Sequence, residues 1–137
     1  MSKELDNLVK TQVLKAEPYA EEEFKGLVTQ ASTKLADVQR GKLSDESRFE
    51  LAYSAAHSFA LAALRHKGYR PDRKRYIVFQ ALPHTLGFDA PEVRVLSKCH
   101  ETRNLSEYEG QSEVDRRLLA ELIVITVKLE AAVAKLR

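Results

Sequence analysis

Apolar side chains recur every three or four residues along most of the chain, which is the spacing of amphipathic helices. This pattern, with the positions of glycine, proline and N-cap residues, predicts six helices. They cover approximately residues 5–13, 21–40, 44–67, 72–86, 89–109 and 112–136. No stretch has a convincing strand pattern, since the best candidate, RYIVFQAL at residues 75–82, has helical neighbours and no strand to pair with. An all-α fold is therefore predicted.

Local signals mark several of the predicted helix ends. Ser44 is predicted to cap the third helix and Ser112 the sixth, because serine side chains accept hydrogen bonds from the first free N–H groups of a helix. Asp89 and Glu92 have the spacing of a capping box at the start of the fifth helix. Pro83 lies inside the fourth helical pattern, which it is expected to end or kink.

The third and sixth helices are predicted to be the most buried. The third carries six alanines between positions 52 and 63, and such small side chains let another helix approach closely. The sixth adds a second apolar face, formed by Leu119, Ile123 and Val127, which is a candidate dimer interface. The predicted architecture is a bundle of about four long helices, with an N-terminal helical extension in residues 1–43 and a helical domain in residues 44–137.

The composition excludes several classes of protein. A chain of 137 residues suits one domain, and its formal charge of +2 does not by itself indicate a nucleic-acid binder. A single cysteine, Cys99, cannot form an internal disulfide, and the scattered histidines give no metal-ligand spacing. The N-terminus is unlike a signal peptide, and no apolar run approaches the roughly 20 residues of a membrane span. A cytoplasmic protein without a membrane segment, metal or cofactor is therefore predicted.

Candidate chemistry concentrates in RNLSEYEG at residues 103–110. On a helix, His100, Arg103 and Asn104 continue an apolar face, which therefore turns polar part-way along. One interpretation is a solvated helix end. The other is a pocket in which Arg103 holds a phosphate through its fork of donors, with Asn104 and Tyr108 beside it. Arg103 and Tyr108 lie about 140° apart on an unbroken helix, so they meet only if the helix unwinds near residue 110 or if a symmetric partner contributes one of them.

A second candidate is the basic stretch RHKGYRPDRKRY at residues 65–76. Cations interleaved with tyrosines bind phosphate backbones and stack bases, and proximity to Arg103 would favour this interpretation. Alternatively, the stretch is a solvated loop whose charges suit the C-terminus of the third helix. His57, among the alanines of that helix, is expected to be a hydrogen-bonded core histidine. The nucleic-acid-binding candidates are Arg65, Lys67, Arg70, Arg73, Lys74 and Arg75.

These stretches also carry a family resemblance. RNLSEY, an Arg-x4-Tyr motif between two bundle helices, resembles the Arg-x4-6-His motif of the HEPN superfamily (higher eukaryotes and prokaryotes nucleotide-binding). RFELAYSAAHSFALAALRHKGYR and FQALPHTLG are similar to a bacterial branch of that family, so the likeness covers roughly residues 44–135. The resemblance implies a helical bundle that dimerises with its motif near the interface. It also implies a metal-independent ribonuclease, frequently a toxin with a cognate antitoxin, or a non-catalytic binder of nucleotides or RNA.

Tyr108 stands where the family has histidine, and this departure separates the functional alternatives. Metal-independent cleavage of RNA needs a group that exchanges protons near neutral pH, and histidine titrates at about pH 6.5 whereas tyrosine titrates at about pH 10. His100, one turn before Arg103, is the alternative for that role. The leading prediction is a homodimeric HEPN-like protein that binds RNA or a nucleotide through Arg103. The alternatives are a ribonuclease toxin with an antitoxin partner and a non-catalytic adaptor that assembles through its sixth helix.

Overall fold

A computed structural model of the chain describes residues 2–109 and 114–136, with the side chains of residues 106–109 outside the described part. The regular elements of these residues are seven helices and one antiparallel sheet of two short strands. In chain order they are α1 Lys3–Lys10, β1 Leu14–Ala16, α2 Glu21–Gln39, α3 Asp45–His66, β2 Tyr69–Pro71, α4 Ile77–Gln80, α5 Leu82–Thr85, α6 Ala90–Glu109 and α7 Arg116–Ala134.

The four long helices α2, α3, α6 and α7 form one hydrophobic core, and α3 is the central helix of the four. α3 packs chiefly against α2 and α7. Ala52, Ala56, Ala60 and Ala63 of α3 are fully buried, and their small side chains allow the neighbouring helices to approach closely. The predictions of an all-α fold and of a central third helix are confirmed.

Helix caps follow local sequence at two predicted positions and differ at a third. Ser44 caps α3 by accepting a hydrogen bond from the backbone N–H three residues on, at 3.2 Å. The capping box of α6 forms, with 2.9 Å from Glu92 N to Asp89 Oδ1 and 3.0 Å from Asp89 N to Glu92 Oε1. The N-cap of α7 is Asp115, whose carboxylate accepts two N–H groups of the first turn. The predicted cap, Ser112, lies outside the described residues.

The connection between α3 and α6 differs from the prediction at its start, where a helix was expected from residue 72, and agrees with it near Pro83, where the helical segment is interrupted. Residues 69–71 pair with residues 14–16, and the N–H of Asp72 donates to the carbonyl of Val13 at 3.0 Å, so this stretch is extended. Two four-residue helices, α4 and α5, follow, with Pro83 in the first turn of α5. The prediction that the chain has no strand was wrong, because a three-residue strand is too short to show a periodic pattern.

The N-terminal region shares the core of the rest of the chain. Leu5 of α1, Leu14 of β1, and Phe24 and Leu35 of α2 are all buried in it. α2 is itself one of the four long helices. The predicted extension therefore enlarges the bundle, although the division of the chain at residue 43 stays a prediction.

α7 is apolar on more than one face, as predicted, but most of that surface is covered within the chain. Leu119, from its second apolar face, is buried beside the main stripe. Val124 and Val127 stay exposed, with 68% and 40% of their surface accessible. Neither α7 nor any other helix in the described part of the chain combines the length and the apolar character needed to cross a membrane.

Candidate functional site

An open cavity of about 330 Å³, the central cavity, lies where α2, α3 and α6 meet the segment that leads into α4. Its volume falls within the range of about 300–1,000 Å³ that small-ligand sites occupy. Each of the four elements contributes polar or aromatic side chains to the lining. These are Gln30 and Lys34 from α2, Glu50, Tyr53, Ser54, His57 and Ser58 from α3, Arg75 and Tyr76 from the segment before α4, and His100 and Arg103 from α6.

α3 presents a polar face to the central cavity although most of the helix is apolar. Glu50, Tyr53, Ser54 and His57 are spaced by three and four residues, which places them on one side of the helix. The remaining faces are buried against the neighbouring helices. The lining side chains are therefore held by a helix that packing keeps in place, which is a suitable support for a binding site.

Arg103 reaches the central cavity from α6 and meets two residues of α3. Its Nε lies 3.8 Å from Glu50 Oε2, and its guanidinium carbon lies 5.3 Å from the centre of the Tyr53 ring. The ion pair is long and 53% of the Glu50 side chain is exposed, and such pairs contribute only about 0–1 kcal/mol. The Arg103 side chain is 36% accessible, so an incoming anion can reach its guanidinium.

His100 is hydrogen bonded at both ring nitrogens. The Tyr53 hydroxyl lies 3.1 Å from Nδ1 and Asn104 Nδ2 lies 3.3 Å from Nε2, while the Tyr76 ring packs on the imidazole with 4.8 Å between centroids. With the Asn104 amide in this orientation, Nε2 accepts its hydrogen bond and Nδ1 carries the ring proton. Burial raises the pKa of Tyr53 despite the nearby charge of Arg103, so its hydroxyl stays protonated.

The central cavity carries an excess of positive charge. Among the described residues that line it are three cations, Lys34, Arg75 and Arg103, and one carboxylate, Glu50. Lys34 Nζ donates to Ser54 Oγ at 2.8 Å, which holds the ammonium at the cavity wall. Cations from three separate elements therefore outnumber the carboxylate in this lining. A concave surface with this balance attracts anions.

His57 anchors the segment before α4 to α3. Its Nε2 lies 3.2 Å from the backbone carbonyl oxygen of Arg75, and its ring meets Phe79 edge-on with 5.8 Å between centroids. Burial, followed by the charge of Arg75, lowers the pKa of His57 to about 4. The imidazole is therefore neutral at neutral pH. The prediction of a hydrogen-bonded core histidine is confirmed, and this bond fixes the backbone that carries Arg75.

The fold gives the first cation of the basic stretch a structural role. Only 1% of the Arg65 side chain is exposed. Its Nε donates to Glu23 Oε1 at 2.7 Å, and its other nitrogens donate to three backbone carbonyls. Arg65 therefore ties α3 to the start of α2 and is not positioned to contact a nucleic acid, which corrects the role predicted for it. Arg70 is likewise held by carboxylates, those of Glu17 and Glu23.

The two carboxylates of this ion network stay ionised at neutral pH. The hydrogen bond from Arg70 lowers the pKa of Glu17. Burial raises the pKa of Glu23, but hydrogen bonds from Arg70 and Arg65 outweigh that effect and the net shift is downward. The network of Arg65, Arg70, Glu17 and Glu23 therefore stabilises the junction of α2, α3 and β2 as long as both carboxylates are charged.

The other four predicted cations are exposed, but only one of them lines the central cavity. That residue is Arg75. Arg73 and Lys74 line a neighbouring cavity. Lys67 is the C-cap of α3 and lines neither of the two cavities. The basic stretch reaches the cavity that Arg103 lines through Arg75 and Tyr76, and this proximity favours the nucleic-acid interpretation.

The motif residues from Arg103 to Tyr108 lie within α6. The helix continues through Glu109, and the predicted unwinding near residue 110 lies outside the described residues. Five helical residues place the two about 140° apart, and the side chain of Tyr108 lies outside the described part. Asn104 supports His100 and does not itself line the central cavity.

Several residues of the central cavity carry no recognisable motif, among them Lys34, Glu50 and Tyr53. A signal does exist for two of them. Glu50 and Tyr53, together with His57, are polar or partly polar residues at helical spacing on a helix that is otherwise rich in alanine. Lys34 has no such signal, because its position depends on how α2 packs against α3.

Comparison of the chain with family models and with curated protein sequences finds no match. Within the described residues, no group of three or more His, Cys, Asp or Glu side chains is arranged to hold a metal ion. HEPN membership therefore stays a prediction, and function is best inferred from the geometry of the central cavity.

Proposed function

We propose that this is a HEPN-like helical protein that binds a nucleotide or RNA, with a phosphate group held in the central cavity. The observation that carries the proposal is the convergence of Lys34, Arg75 and Arg103, from three separate elements, on one cavity. Tyr53 and Tyr76 give the same cavity aromatic walls. Cations supply the affinity for phosphate, and rings supply a surface on which a base can stack.

A phosphate in the central cavity can make closer contacts to Arg103 than the carboxylate of Glu50 makes. Hydrogen bonds between charged partners contribute about 1.5–3 kcal/mol each, and a guanidinium can present two parallel donors to phosphate oxygens. The existing pair between Arg103 and Glu50 has a separation of 3.8 Å, which is too long for such a bond.

The proposal is tested by measuring the binding of AMP by calorimetry and of fluorescein-labelled decauridylate by anisotropy. Arg103→Ala is expected to weaken both by about 10–100-fold, the equivalent of one lost charge-assisted contact. It should also reduce the slope of log K against log salt by about 0.7 for the single-stranded RNA. The matched control is Arg94→Ala, which removes the same charge from an exposed position of α6 that does not line the central cavity.

Two results would contradict the proposal. The first is equal affinity of the Arg103→Ala and Arg94→Ala proteins for both probes, which would show that only net charge matters. The second is no binding of either probe to the wild-type protein at a salt concentration of about 50 mM, where phosphate contacts are strongest.

A metal-independent ribonuclease is the second candidate function, and the position of His100 favours it. The imidazole lines the same cavity as Arg103 and is oriented by Tyr53 and Asn104. Histidine can take and give protons near neutral pH, and Arg103 would stabilise charge that develops on the phosphate. His100 would thus supply the proton-transfer group that Tyr108 cannot.

Cleavage is tested by incubating the protein with RNA in EDTA and following the products by gel. A ribonuclease of this kind would lose about 10²–10⁴-fold of its rate in His100→Ala, the usual contribution of a general acid or base. His84→Ala, which removes an exposed histidine of α5, should leave the rate unchanged. RNA that binds but stays intact would leave the binding function and exclude this one.

The proposal also includes the two predicted protein partners, a second copy of the chain and an antitoxin. The exposed Val124 and Val127 of α7 are available to a second copy of the chain or to an antitoxin. Analytical ultracentrifugation of the wild-type protein and of Val124→Lys tests the homodimer, which that charge should dissociate. A dimer that forms while both RNA and AMP fail to bind would favour the adaptor function.

A further inference from the structure

A second cavity of about 360 Å³, the side cavity, shares the Tyr76 side chain with the central cavity. Its apolar wall is formed by Leu8 of α1, Val13 beside β1 and Ile77 of α4. Gln12 and Gln80 also line it. Arg73 and Lys74 line it as well, so the side cavity differs from the central cavity in its aliphatic wall and not in the sign of its charge.

The N-terminal region is fastened against the segment that precedes α4, and this contact creates the side cavity. Val13 N–H donates to the carbonyl of Leu8 at 2.9 Å, and the carbonyl of Val13 accepts from Asp72 N–H at 3.0 Å. Gln12 has a φ of 64°, a left-handed conformation that is unfavourable for a non-glycine residue and is often found at functional sites. Its side chain is fixed by Arg73, whose Nη2 donates to Gln12 Oε1 at 2.8 Å.

Three consecutive cations flank the ring that divides the two cavities. Arg75 lines the central cavity, whereas Arg73 and Lys74 line the side cavity. Lys74 Nζ lies 5.9 Å from the centre of the Tyr76 ring. A chain of phosphates that passed Tyr76 would therefore meet positive charge on both sides of it, in the way that grooves for single strands combine cations with aromatic rings.

We propose that the side cavity is a base-binding subsite, so that the ligand is a single strand of nucleic acid that spans both cavities. One phosphate lies in the central cavity, and the base of the adjoining nucleotide enters the side cavity and stacks on Tyr76. The amides of Gln12 and Gln80 offer donors and acceptors to the edge of the base, while Arg73 and Lys74 neutralise the connecting phosphate. The subsite rests on the proposed function, because it presumes a phosphate beside Arg103.

The subsite is tested by calorimetry with AMP and with the dinucleotide pApA, which carries a 2′-O-methyl group on its first ribose so that it cannot be cleaved. Wild-type protein is expected to bind pApA about 5–100-fold more tightly than AMP, the range that stacking of one base supplies. Gln80→Glu, which places a negative charge in the side cavity, should remove most of that gain and change AMP affinity by less than about twofold. The control is Gln39→Glu, because Gln39 is also exposed and is also the last residue of its helix.

The outcomes separate the subsite from the proposed function on which it rests. Binding of AMP with no gain for pApA would overturn the subsite and leave the phosphate site intact. A gain that is equal in Gln80→Glu and Gln39→Glu would also overturn it, because the second nucleotide would then lie elsewhere. Failure of the wild-type protein to bind either molecule would instead overturn the phosphate site itself. The same measurement with the deoxy dinucleotide distinguishes RNA from DNA.

Discussion

Neutralising Glu50 should strengthen the binding of phosphate, although most substitutions in a binding site weaken it. Among the described residues, Glu50 is the carboxylate that lines the central cavity, and it competes with the ligand for Arg103. In Glu50→Gln the shape of the side chain is kept while its charge is removed. The change therefore isolates the electrostatic part of the proposed site.

The expected gain follows from Coulomb's law. Glu50 Oε2 lies 3.8 Å from Arg103 Nε, so a phosphate on the far side of that guanidinium would lie at about twice that distance from the carboxylate. Two unit charges about 7 Å apart repel by about 0.6–1.2 kcal/mol at an effective dielectric constant of about 40–80. Because the Glu50 side chain is 53% exposed, solvent screening favours the lower half of that range. AMP should therefore bind about 3–5-fold more tightly, and the gain should shrink as salt is added.

The measurement is the dissociation constant of AMP by calorimetry at low and high salt, with thermal melting to show that the variant is folded. Glu46→Gln is the control, because Glu46 is exposed, lies one helical turn earlier in α3 and does not line the central cavity. It changes the net charge equally and should give a smaller gain. Affinity that stays constant or falls in Glu50→Gln would refute the idea that the bound anion lies beside this carboxylate.

Three further predictions concern stability and reactivity. Glu23→Gln should lower the free energy of unfolding by about 1–3 kcal/mol at neutral pH, because it removes a charged partner of the buried Arg65 guanidinium. The control, Glu22→Gln, should change that free energy by less than about 0.5 kcal/mol. Urea titration measures both values. The stabilisation from Glu23 is present above the ordinary pKa of glutamate and is lost as pH falls through the lowered pKa of the folded protein. In acid, the free energies of unfolding of Glu23→Gln and Glu22→Gln should therefore become equal. In the folded protein the pKa of His57 is about 4, below that of a free histidine, so the unfolded chain takes up a proton at higher pH than the folded chain does. As pH is lowered from about 6.5 to about 4, the free energy of unfolding should therefore fall by roughly 2–4 kcal/mol. His57→Gln should remove most of this pH dependence. Cys99 is fully buried and burial raises its pKa to about 12, so a thiol reagent should label it only when the protein unfolds; fast labelling of the folded protein would contradict its burial.

The elements that could be predicted are those whose signals are local. The capping box of Asp89 and Glu92 depends on two side chains three residues apart, and it forms as expected. The burial of α3 follows from its own alanines. His100 and Arg103 could be placed on one face of α6 because helical geometry alone relates them. Where the signal lies in residues that are close together along the chain, the sequence alone predicts the local structure.

The role of each cation was decided by the tertiary structure. Arg65 and Arg75 belong to the same basic stretch, yet one is buried against Glu23 and the other lines the central cavity. Nothing in the stretch separates them, because the difference arises from how α2 and the segment before α4 pack on α3. Lys34 entered the site for the same reason. A periodic pattern shows which face of a helix is buried, but it does not identify the residues that will cover that face.

The same limit applies to the short sheet and to the side cavity. The strands Leu14–Ala16 and Tyr69–Pro71 satisfy each other's backbone hydrogen bonds, and neither has the length to show its own pattern. Helices are encoded by contacts within a few residues, so they could be read from the chain as it stands. The pairing of distant strands and the gathering of three cations around one opening depend on contacts between segments far apart in sequence, which exist only once the whole core has assembled.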